Sequence, residues 1–486
     1  MDYKSVKSVI PGSSINNLTE SDYLTTDIND SFVSLMKNQN YDNSIESLSL
    51  YLNSIVNYIE VHKQKLDPIL PPSFEYFFAD LLNKNEKAFG SDLYQILSFF
   101  STNKEICERF IKINILDKLV QNLSHHVYDQ FNSKFLVVSI FNISDFLLTK
   151  ISLDEFTSKY SLKVFVDNND IDSIDLLNFL VLFSKHCSDF DFAKNIIITI
   201  KNKTLILFET SSQIAWIMFY LTRNKPTNSC LFFENPIFVN TNDNIFFVLS
   251  NFLIPNGNDQ FFNPFFQFCY FFLTDQKVNE SFMEKFFQSG NPYRTTILEV
   301  LNIQMITEIA ANSHHQNVKK MILKILNYFL KLNDIPFPND RNFVQTLFNI
   351  HKNGNNEVFK QLLILFSRIV YKLSLELVEV IFHSHFFLDA MDGYEMANFI
   401  PFLHFFFAMM IRLQTNSLLY EEFLTFCSEI DILTSIRNYI DSNEISDEDI
   451  NMSLMLLEQA IKINDSNNAK ESKFKTYLSK CGDISD

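Results

Sequence analysis

The chain has 486 residues, with 57 acidic against 40 basic side chains, a formal charge of −17 and 47% apolar residues. The apolar share excludes a disordered protein, and the acid excess opposes phosphate backbones, so no nucleic-acid partner is expected. Fifty-three Phe against 7 Gly and 12 Pro point to a large core in which Phe fills positions more often given to Leu or Ala.

Taken in chain order, residues 1–43 are polar and read as a flexible tail with a short helix near Phe32 to Met36. The opening MDYKSVKSVIPGSS lacks the apolar run of a signal peptide. From Ile45 onward nearly every window has apolar residues at helical spacing. The stretch 96–124, ILSFFSTNKEICERFIKINILDKLVQNLS, predicts the end of one helix, a polar turn, a short helix, a second turn and a new amphipathic helix. Ile115, Leu116, Leu119, Val120 and Leu123 recur there with a helix period and not a strand period. Asn195 to Phe208 leaves a hairpin open, because two apolar runs flank Lys201-Asn202-Lys203; the helical patterns on both sides favour helix. Clusters of Asn, Asp, Gly and Pro at Asp67 to Pro72, Asp167 to Asp170, Asn224 to Asn228, Pro255 to Asn258, Gly290 to Pro292, Asn333 to Asp340 and Lys352 to Asn356 mark turns. None resembles an interdomain linker, so residues 44–463 form one helical region and 464–486 a polar tail. The greasiest windows, Phe261 to Leu273 and Phe399 to Ile411, fall short of the roughly 20 residues that cross a bilayer, so no membrane role is expected.

Motifs that carry chemistry are missing. The seven glycines are isolated, which removes phosphate-cradling loops, and neither a nucleophile elbow nor an H-E-x-x-H helix is present. The six cysteines form no C-x-x-C pair and fit reduced thiols in a cytoplasmic or nuclear protein. His125-His126 and His314-His315 are adjacent pairs whose rings would diverge by about 100° on a helix. His383 and His385 would share a face only on a strand. Asp447-Glu448-Asp449 fits a solvated helix start. No metal, cofactor or catalytic residue is expected.

The long helix, bend, short helix, long helix layout of 96–124 resembles the armadillo repeat, a unit that buries its apolar face only by stacking on neighbours. Ile140 to Asp145, IFNISD, is similar to the end of that repeat's third helix, and Phe99 stands 43 residues before Asn142. Ser211 to Asn224, SSQIAWIMFYLTRN, is similar to the same helix, with Tyr220 placed 78 residues beyond Asn142, two steps of 39. These steps lie in or just below the family's range of about 40 to 47. Val248 to Leu253, VLSNFL, has the local pattern, although Asn251 follows Tyr220 by only 31 residues. Glu429 to Ile461 resembles the last repeat of importin-alpha. Where the family places Gly between its first two helices, this chain has Asn114 and Asp431, residues that tolerate positive φ.

The resemblance implies an all-α, right-handed armadillo/HEAT-like solenoid of about nine or ten repeats that binds a protein or extended peptide without catalysing a reaction. In importin-alpha, Trp and Asn four residues apart on successive third helices hold a basic peptide. The corresponding pairs here are Gln95 with Phe99, Val138 with Asn142, and Trp216 with Tyr220. Asn142, Trp216, Tyr220 and Asn251 are therefore the candidate peptide-binding residues of the concave face, and the acidic surface suits a basic partner. Residues 1–43 hold only Lys4, Lys7 and Lys37 and no Arg, which argues against an importin-beta partner. A nuclear import adaptor is the most specific expectation. A cytoskeletal or signalling scaffold is the alternative, and a divergent helical enzyme a remote one that a pocket with convergent polar groups would revive.

Overall fold

A computed structural model describes residues 20–429 apart from 38–43, 85–89, 125–129, 161–172, 204–207, 226–227, 229–230, 235–244, 275–297, 299, 333–334 and 393–398. Every regular element among the described residues is a helix. The chain divides into two compact units, Met1–Cys187 with Asn202–Thr204, and Ser188–Lys201 with Leu205–Asp486.

The first unit contains α1 (Glu20–Lys37), α2 (Ile45–His62), α3 (Phe74–Lys84), α4 (Gly90–Phe100), α5 (Lys104–Lys112), α6 (Ile115–Ser124), α7 (Gln130–Leu147), α8 (Leu153–Lys159) and α9 (Ser173–His186). The layout expected over 96–124 is present. α4 stops at Phe100, and the Asn103 side chain caps α5 by accepting from the Glu105 and Ile106 N–H groups, two donors that lack a partner within the helix. Asn114 takes φ 59° between α5 and α6, the left-handed conformation that Asn tolerates best after Gly. The helix expected near Phe32 runs over 18 residues, much longer than its polar sequence suggests. It is anchored by Phe32 and Met36, both 0% exposed, and by the Tyr58 hydroxyl, which donates to the Ile28 carbonyl at 3.1 Å.

The second unit holds α10 (Phe190–Lys203, all but its last two residues), α11 (Ser211–Asn224), α12 (Leu231–Glu234), α13 (Ile245–Ser250), α14 (Asp259–Thr274), α15 (Ile303–Asn312), α16 (Gln316–Lys331), α17 (Arg341–Lys352), α18 (Asn356–Ile369), α19 (Leu375–Phe382), α20 (His385–Asp392), α21 (Phe399–Leu413) and α22 (Ser417–Glu429). The stretch 195–203, open to a hairpin reading, is helix. Phe261 to Leu273 and Phe399 to Ile411 are buried helices, and no helix among the described residues is long and apolar enough to cross a membrane. Residues 430–461, compared above with a last armadillo repeat, lie outside the described residues, as do Asp431, His125-His126 and 464–486.

Each unit is built by adding helices of similar length side by side. In the first, α2 packs on α4, α4 on α7 and α7 on α9, while α3 packs on α6. In the second, α11 packs on α14, α14 on α16, α16 on α18 and α18 on α21, with α15, α17 and α19 forming a companion row. Phe rings fill the interior: Phe246 stacks on Phe265 with centroids 5.5 Å apart, and Phe366 meets Phe386 at 4.6 Å.

Long polar side chains fasten successive layers to one another. Arg109 donates to the Leu70 and Pro71 carbonyls at 2.8 and 2.9 Å and pairs with Glu75. Lys118 reaches the Ala79 carbonyl at 3.0 Å, and Arg368 the Asn327 carbonyl at 3.1 Å. Arg412 donates to Val370 and Leu373 at 3.2 and 2.7 Å. The partners in these bonds are 34 to 42 residues apart, whereas the bonded Ser212 and Gln260 are 48 apart and Asn312 and Asn256 are 56 apart.

Candidate functional site

The long helices of the second unit are the natural place to look for a binding face, because each leaves one strip uncovered. On α16 the side chains of Val318, Lys319, Ile322, Leu323, Ile325, Leu326, Asn327, Phe329 and Leu330 are buried. Lys320, Met321, Lys324 and Tyr328 are half-buried, and Asn317 and Lys331 are exposed. Those six positions recur at three- and four-residue spacing, which places them in one narrow arc. The matching strips are Gln213, Trp216 and Tyr220 on α11, Asn263, Gln267, Tyr270 and Phe271 on α14, and Lys360, Gln361, Ile364 and Arg368 on α18.

Trp216 and Tyr220 meet in this strip. Their rings stack with centroids 5.4 Å apart and an interplanar angle of 22°, and Trp216 also touches the edge of Phe219 at 5.6 Å. The i, i+4 spacing read from the sequence thus unites two candidate residues, but as one stacked slab and not as separate rungs. Asn142 belongs to the first unit. It is half-buried on α7 and donates to the Ser101 hydroxyl at 3.0 Å, so its amide already serves the layer before it. Asn251 stands exposed in the turn after the short α13, its N–H donating to the Val248 carbonyl at 3.3 Å. It is not on one of the long helices, which fits its short spacing from Tyr220.

Sequence reasoning passed over the basic residues of the strip. Lys324 lies over the Tyr270 ring, its Nζ 5.0 Å from the centroid. Lys320, Lys324, Lys331 and Lys360 form no ion pair among the described residues. The signal was present in QNVKKMILKILNYFLK, where Lys320, Lys324, Tyr328 and Lys331 fall on one helical face.

A concavity of about 350 Å³ in the first unit is lined by Ile111, Leu116 and Leu147 together with Asp117, Lys159 and Tyr160, among others. Tyr160 donates to Asp117, and Lys159 Nζ lies 2.9 Å from the same carboxylate. Burial first and the Asp117 hydrogen bond second push the Tyr160 hydroxyl up to about 12, and the bond to Asp117 raises Lys159. Both donors therefore hold their protons more firmly, the opposite of what a catalytic base at neutral pH requires. The cluster ties α8 to α6. Among the described residues no group of three or more His, Cys, Asp or Glu is placed to hold a metal. His351 faces Asp389 at 2.8 Å and His383 faces Glu422 at 2.9 Å, pairs that join neighbouring layers.

No protein-family model matches this chain, and no curated protein matches it either.

Proposed function

We propose that the chain is a non-enzymatic armadillo-type adaptor, a helical solenoid that lays an extended peptide segment across the uncovered strips of its long helices. One observation carries the reading. Long helices of the second unit pack side by side, α16 and α18 being tied by a bond between residues 41 apart, and α11, α14, α16 and α18 each leave a strip of half-buried aromatic and amphipathic side chains. Such a surface offers stacking area at low ordering cost and polar ends for the backbone of a peptide. The nuclear import adaptor is the narrower form of this proposal, working between cytoplasm and nucleus; a basic cargo would there engage Trp216 and Tyr220 through cation–π contact. The self-stacked pair on α11 and the lysines on α16 and α18 favour the broader form, an adaptor whose partner is not an import signal.

An unbiased peptide library, displayed and selected against the immobilised full-length chain, tests the reading. We expect extended peptides of micromolar affinity or better that bind one per chain and are lost when Trp216→Ala is combined with Tyr328→Ala. Failure to select any peptide, whatever its composition, would remove the peptide-binding reading.

A further inference from the structure

The positive charge of this protein is not spread evenly, and the unevenness bears on what the strip can hold. Acids outnumber bases by 57 to 40, and a lysine beside a carboxylate has its charge already met. Four lysines elsewhere are placed so: Lys84 meets Asp80, Lys112 meets Glu108, Lys159 meets Asp117 and Lys185 meets Asp145, all within 3.4 Å. What sets the strip apart is that its lysines stand together on two adjacent helices. Lys320, Lys324 and Lys331 on α16 and Lys360 on the adjacent α18 have no such partner among the described residues. Glu357, three residues before Lys360, is exposed in the first turn of α18, where it complements the helix dipole. Three of the four lysines are half-buried, so their stems already lie along the surface and lose less freedom when a ligand arrives.

We propose that this strip binds an acidic extended polypeptide segment, with Lys320, Lys324, Lys331 and Lys360 pairing its carboxylates and Tyr270 and Tyr328 packing against its backbone. The inference rests on the peptide-binding reading above and reverses the charge of the expected partner. The spacing fits. Side chains on one face of an extended strand recur every 6.8 Å or so, and residues four apart on a helix rise by about 6 Å. Over the stretch where the segment follows α16, it would therefore set alternate carboxylates opposite Lys320 and Lys324. A nucleic acid carries its charge far beyond a patch of this size and would meet the repulsion of a −17 chain, whereas a short acidic segment ends where the lysines end.

The test is a fluorescence anisotropy titration of the full-length chain with a labelled peptide of about seven residues alternating Glu with Ser, whose extended reach of about 23 Å matches the roughly 24 Å of the 16-residue α16. Its Gln-for-Glu counterpart, a Lys-for-Glu counterpart and a single-stranded oligonucleotide of equal charge run in parallel. We expect the Glu peptide alone to bind, with affinity falling as salt rises from about 50 to about 300 mM. Lys320→Gln with Lys324→Gln should weaken it about tenfold, the scale of two part-exposed ion pairs. Lys320→Arg with Lys324→Arg should preserve binding, and Lys112→Gln, on an exposed lysine of the first unit, should leave it unchanged; circular dichroism verifies folding of each variant. Equal binding of the Gln peptide, tighter binding of the oligonucleotide, or indifference to the lysine substitutions would overturn the inference. Library peptides that bind without acid preference would overturn it too while leaving the peptide-binding reading intact; absence of any binding peptide would end both.

Discussion

Lys319 and Lys320 are neighbours in sequence and opposites in setting. Lys319 is 0% exposed and its Nζ has no hydrogen-bond partner, while Lys320 stands in the uncovered strip. Burial lowers the Lys319 pKa, partly countered by the Asp259 charge. An unpaired buried amine costs more than an apolar side chain of similar length. Lys319→Met is therefore expected to raise stability by about 1–3 kcal/mol, read from urea unfolding midpoints. With the folded value below the ordinary 10.5, the unfolded chain binds more protons between the two values. The wild type should gain stability as pH rises through that window, and the variant should lose this slope. Asn114 gives a second residue-level test. At φ 59°, Asn114→Val should cost about 1–2 kcal/mol, whereas Asn114→Gly should stay within about 1 kcal/mol of the wild type. Asn114 was legible in the sequence because its chemistry is local: few residue types tolerate that backbone. Which of two adjacent lysines is buried was not legible, since the answer is set by helix phase against α14 and α18, both distant in sequence.

At the scale of elements, α14 carries Pro264 in its second turn. Proline has no N–H, so the Gln260 carbonyl loses its intrahelical donor. The Ser212 hydroxyl of α11 donates to that carbonyl at 2.9 Å, and the defect in one helix becomes a tie to the next. Ser212→Ala should cost about 0.5–1 kcal/mol in the wild type and clearly less when Pro264→Ala has restored the ladder. A double-mutant cycle measures the difference, and additive effects would refute the coupling. The helices over 96–124 were readable because their stripes are strong and their turns polar. α1 was not, because its period is weak and its hold on the chain is tertiary: Phe32 stacks on Tyr58 at 5.5 Å and Asn29 bonds Asp67 at 3.0 Å. The candidate ladder was half readable. Spacing on one helix brought Trp216 and Tyr220 together, but Asn251 matched a local pattern that belongs to a turn.

At the scale of the molecule, each unit encloses its own aromatic core, and the single Trp216 lies in the second. Tryptophan fluorescence should then follow the second unit alone during urea unfolding, while far-ultraviolet dichroism follows both. We expect two non-coincident curves; superposition of the two would mean one cooperative transition. The all-helical character was visible in the sequence, whereas the lysine strip was not, because which lysines lie beside a carboxylate is decided by side chains far apart in the chain. The layer fastenings have a further consequence. Arg109, Lys118, Arg368 and Arg412 donate to main-chain oxygens at 70, 71, 79, 327, 370 and 373, and a main-chain oxygen is present whatever amino acid stands there. Half of each fastening is thus immune to mutation. Such a chain can exchange its residues freely at the accepting positions, drifting in identity while its layers stay joined.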